Sequence, residues 1–86
     1  MNTIQTEKIV ELVKNVMNMY PDNDNVKDII VERRPNLFRI LIWAKMFRLY
    51  EWELIKQDLL KLNLIPTHFE ICGSEEGLIH IVIYVR

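Results

Sequence analysis

The side chains best suited to chemistry lie near the end of the chain. His68, Glu70 and Cys72 alternate in sequence, which places all three on one face of a strand. A turn at Gly73–Gly77, centred on Glu75, would fold the next strand back and set His80 opposite Glu70. Two imidazoles, a thiolate and a carboxylate are donors that zinc accepts. No Cys-x-x-Cys or His-x-x-x-His spacing accompanies them. The simpler expectation is therefore a Glu70–His80 cross-strand ion pair beside a cysteine of the buried type, and no metal. Asp22–Asn25 has the flavour of a calcium loop, but it lacks the central glycine and has Arg33 where the closing glutamate belongs. It reads as a polar loop ending a helix. Ser74, the only serine, sits in a turn with no candidate base beside it. Glycine occurs only at 73 and 77, so no phosphate-cradling loop or dinucleotide fingerprint exists. A protein without catalytic machinery or cofactor is expected.

The elements that carry these residues repeat. Leu37–Lys45 aligns without gaps to Leu78–Arg86 at an offset of 41, and Val10–Lys14 reads against Trp52–Lys56 at an offset of 42. Ile9, Leu12, Val13, Val16, Met17 and Tyr20 form one helical stripe, stopped by Pro21 and the polar residues after it. Trp52, Ile55, Leu59 and Leu62 share a face of a second helix over about 50–63. A hairpin follows each helix. The second would pair Ile71 with Ile79 and Phe69 with Ile81; the first would turn at Arg33–Asn36 and bring Ile30 near Phe38. Residues 37–62 can also be read as one long helix, but the β-branched and aromatic residues of 38–43 favour a strand.

The order is thus αββαββ, with half-repeats near 3–45 and 50–86 in one 86-residue domain. It predicts an α+β fold: a four-stranded antiparallel sheet in the order 3-4-2-1, with both helices on one face. This topology resembles permuted ferredoxin-like domains, and also the core of LAGLIDADG homing endonucleases. The first helix has no LAGLIDADG-type motif, so that activity is not implied.

Composition bounds the function. Half the residues are hydrophobic and 27% are charged, ordinary values for a folded protein. A net charge of −1 argues against gripping nucleic acid by overall charge. Apolar runs do not exceed five residues and no leader opens the chain, so neither membrane span nor signal peptide is expected. One cysteine suits a reducing, cytoplasmic setting.

Two helices cover only one face of a sheet, yet the central strands are apolar on both. Leu41, Trp43, Val82 and Tyr84, with Ile29 and Val31 from the edge, would form an exposed apolar patch ringed by Arg39, Lys45, His80 and Arg86. The expected role is protein contact through this face: a homodimer, or a regulatory or inhibitor-type protein binding another partner. The alternative is a nucleic-acid platform, with Trp43 and Tyr84 stacking on bases and Arg39, Lys45, Arg86 and Arg33 meeting phosphates.

Overall fold

The computed structural model describes residues 3–19, 21 and 23–86; Tyr20 and Asp22 lie outside them. The element order is α1 (Thr3–Met17), β1 (Val26–Arg33), β2 (Phe38–Ala44), α2 (Leu49–Lys61), β3 (Pro66–Glu75) and β4 (Leu78–Val85). The fold is α+β. All strand pairs are antiparallel, and the sheet order is β1-β2-β4-β3, the predicted order. No described helix is long and apolar enough to cross a membrane.

The chain leaves the sheet at Ala44 and enters α2 only at Leu49, so 37–62 is not one helix. Burial along β2 alternates strictly: Phe38, Ile40, Ile42 and Ala44 are buried, the residues between them only partly. Such a period-2 segment cannot keep a single helical stripe inside. At α2, the buried Glu51 carboxylate accepts the backbone N–H of Arg48 at 2.6 Å and its guanidinium at 2.9 Å. The helix start is thereby capped three residues back.

On the helix side, side chains line up in rows across the sheet. Ile29, Ile42, Ile81 and Ile71 form one row; Val31, Ile40, Ile83 and Phe69 form the next. Ile9, Val13, Val16 and Met17 of α1 and Trp52, Ile55 and Leu59 of α2 close over these rows in one cluster, except at the β3 edge, where Ile71 stays exposed. Burying each such side chain contributes about 1.5–3 kcal/mol. Phe69 meets Phe47 and Trp52 edge-on, at centroid distances of 5.1 and 4.9 Å.

Both hairpins depart from the expected register. In the first, Arg34 N–H bonds Leu37 C=O at 2.8 Å, Arg33 pairs with Phe38 and Ile30 with Leu41. Ile30 thus lies three positions from its expected partner Phe38, and a shift by an odd number of residues exchanges the faces of a strand. Ile29 and Val31 therefore point to the helices rather than to the open face, and both pack on the core. Asp28, Ile30 and Glu32 take the open side. This register half-buries two β-branched residues against the core and keeps two carboxylates off it, which the predicted one would have reversed.

In the second hairpin, Glu76 (φ 53) and Gly77 (φ 78) form a two-residue turn, so Glu75 pairs with Leu78. Positive φ at both central positions matches the twist of the flanking strands. A bulge at Cys72 then shifts the ladder, leaving Ile71 opposite Ile81, Phe69 opposite Ile83 and Glu70 opposite Val82. The Glu70–His80 pair does not form. Cys72 itself is exposed, not buried.

Asn25, fully buried, ties the loops together. Its amide nitrogen donates to Met17 C=O at 3.0 Å and Met46 C=O at 3.1 Å, and its amide oxygen accepts Met46 N–H at 2.9 Å. One side chain thus joins the end of α1 to the β2–α2 connection. Replacing it strands the buried Met17 carbonyl at a cost of about 1–3 kcal/mol and also removes the two part-buried bonds to Met46. Asn25→Ala is expected to lose about 2–4 kcal/mol in chemical denaturation; a loss under about 0.5 kcal/mol, as at an ordinary surface site, would contradict this role.

Candidate functional site

The face away from the helices is built from three rows. One end row is Glu32, Arg39, Tyr84 and His68; the central row is Ile30, Leu41, Val82 and Glu70; the other end row is Asp28, Trp43, His80 and Gly73. The expected residues Arg39, Leu41, Trp43, His80, Val82 and Tyr84 thus share one face. Ile29 and Val31 do not. Lys45 and Arg86 lie just past opposite ends of the central strands, both exposed.

Neighbouring rings close much of this surface. Trp43 stacks on His80 at 4.4 Å and 8°, and Tyr84 on His68 at 4.5 Å and 11°. Val82 between them is only 3% exposed. The apolar patch is therefore flatter and smaller than strand alternation alone suggests. Its most open aliphatic residue is Ile30, 47% exposed at the β1 edge. His80 Nε2 is buried with no hydrogen-bond partner among the described residues; the indole stack holds the ring in place.

The basic residues of the face are already engaged. Arg39 Nε donates to Glu32 Oε1 at 3.0 Å, and its Nη2 contacts the same oxygen. Arg34 reaches that oxygen too, at 2.6 Å. Lys45 Nζ pairs with Asp24 at 2.7 Å. The Arg39 hydrogen bond, with the Arg34 charge behind it, holds the Glu32 carboxyl below the usual carboxylate range. Lys45 does the same for Asp24. With Asp28, Glu32 and Glu70 on the face and Arg39 paired, little positive charge is left to meet a phosphate backbone. One side of each large ring is also taken by an imidazole.

The four metal-type donors do not converge. His68 Nε2 lies 3.5 Å from Glu70 Oε1, and Thr67 Oγ1 sits 3.1 Å from His68 Nδ1. Cys72 is thrown out by the bulge, and His80 lies beside Trp43. Among the described residues no group of three or more His, Cys, Asp and Glu could hold a metal ion.

Sequence reasoning missed Asp28, Ile30 and Glu32 on this face. The signal was present: Asp28 and Glu32 share the parity of Ile30, and two carboxylates argue for the wet side. The chain matches no family model, and no curated protein is detectably similar to it.

Because the native carboxyl of Glu32 is lowered, its contribution to stability is fully present above the ordinary carboxylate range. It is lost as pH falls through the lowered native value. An NMR titration should show Glu32 ionising below a free glutamate, and returning toward the ordinary range in Arg39→Gln. An unchanged Glu32 titration in that variant would contradict the pairing.

Proposed function

We propose that this chain is a small non-enzymatic interaction domain whose open sheet face binds a second copy of itself. The observation behind the reading is the central row Ile30–Leu41–Val82, flanked by Trp43 and Tyr84, on a face that neither helix covers. An exposed free Cys72 fits a reducing, cytoplasmic setting. We also read the fold as two αββ repeats in a permuted ferredoxin-like arrangement. The symmetric order β1-β2-β4-β3 supports it. So do the pairs Arg33–Phe38 and Ser74–Ile79, which are equivalent at the 41-residue offset.

Size decides the strength of the contact. Four strands about 4.8 Å apart, each about 25 Å long, project roughly 500 Å². Two such faces bury on the order of 1,000 Å² in all, below the roughly 1,600 Å² of a standard stable complex and within the weak, transient class. The charges favour a second copy over a polyanion, because the face carries both Arg39 and carboxylates.

Sedimentation equilibrium from micromolar to millimolar protein tests the reading. The apparent mass should climb from 10.4 kDa toward twice that value. Leu41→Glu removes about 1.5–3 kcal/mol of apolar burial and sets a carboxylate in the contact, so association should weaken at least about tenfold. A wild-type chain that stays monomeric throughout, or a folded Leu41→Glu variant that associates unchanged, would overturn the dimer.

A further inference from the structure

The sheet register brings Arg86 to the same end of the molecule as the adjacent pair Arg33 and Arg34. Arg33 pairs with Phe38, and Phe38 with Val85, so Arg86 follows directly on the same edge. Backbone hydrogen bonds of 2.8 and 2.7 Å between Arg86 and Ile65 fix that last position. Arg34 opens the β1–β2 turn, braced by its own bond to Leu37. Arg33, Arg34 and Arg86 line one cleft of about 250 Å³, together with Asn36. Phe38 and Leu64, both buried, give it an apolar wall.

The Arg33 and Arg86 side chains make no ion pair or hydrogen bond among the described residues. Arg34 shares one Glu32 oxygen with Arg39, so its charge is only partly offset. The first turn of α1 reaches the rim at Gln5, and the positive end of the helix dipole adds to the same field. Guanidinium groups bind phosphate oxygens through paired N–H donors. The volume lies just below the roughly 300–1,000 Å³ of drug-sized pockets, which selects a compact ligand. A net charge of −1 for the whole chain disfavours a long polyanion.

We propose that this cleft binds a small phosphate-type dianion, either inorganic phosphate or a compact phosphomonoester. Arg33 and Arg86 supply the principal contacts, Arg34 closes the side, and Asn36 offers a neutral amide. The site lies past the end of the sheet and does not depend on the dimer reading.

An NMR titration with inorganic phosphate and, separately, glycerol 3-phosphate tests it, against sodium chloride at matched ionic strength. Saturable shifts confined to Arg33, Arg34, Asn36 and Arg86 are expected for the phosphates and not for chloride. Inorganic phosphate binding alone would assign a free-anion site; tighter binding of glycerol 3-phosphate would assign a phosphomonoester. Arg33→Gln and Arg86→Gln, at exposed positions outside the core, should each weaken binding severalfold, and the double variant at least tenfold. Lys61→Gln, on α2, should leave it unchanged. Non-saturating shifts spread over all basic residues, undiminished binding by the double variant, or binding of a short oligonucleotide but of neither small phosphate would overturn the assignment.

Discussion

The antiparallel pairing of β2 with β4 determines where nearly every other side chain goes. These central strands are apolar on both faces, and the chain has only two helices to cover them. Once Leu41 stands beside Val82, the row Ile40–Ile83 must face the helices and the row Arg39–Tyr84 must face away. The edge strands then adapt. β1 turns Ile29 and Val31 inward because α1 offers them cover, and its carboxylates go outward. β3 keeps Phe69 inward against Trp52 and uses the Cys72 bulge to reconcile that position with a two-residue turn.

The molecule limits its uncovered face without burying it. Imidazoles stacked on Trp43 and Tyr84 reduce the exposed ring area, and the Arg39–Glu32 pair neutralises one end row. What remains is a shallow apolar row with mixed charge around it. Such a surface suits weak self-association better than tight obligate assembly. Arg33 and Arg86 lie elsewhere, lining one cleft past the strand ends.

Periodicity was enough to identify the helices, the two central strands and the strand order, because long apolar patterns of period 3.6 and 2 depend little on detail. The edge registers were harder to read. Each depends on where a short turn is centred: the first sets Ile30 against Leu41 rather than Phe38, and the second depends on whether Glu75 belongs to the turn or the strand. A bulge such as that at Cys72 has no strong composition cue, yet it decides whether His80 faces Glu70 or sits beside Trp43. The ion pairs were also out of reach, because Arg39–Glu32 follows from register alone. Asn25 reads in sequence as one polar loop residue among several; only the packed structure shows it bridging Met17 and Met46.

The indole N–H signals test the proposed contact between open faces directly. Trp43 lies on that face and Trp52 in the core, so each serves as the other's control in spectra recorded from dilute to concentrated protein. With the proposed dimer, the Trp43 signal and the amides of Ile30, Leu41 and Val82 move with concentration while Trp52 stays still. A concentration-independent spectrum, or shifts confined to the helices, would contradict it.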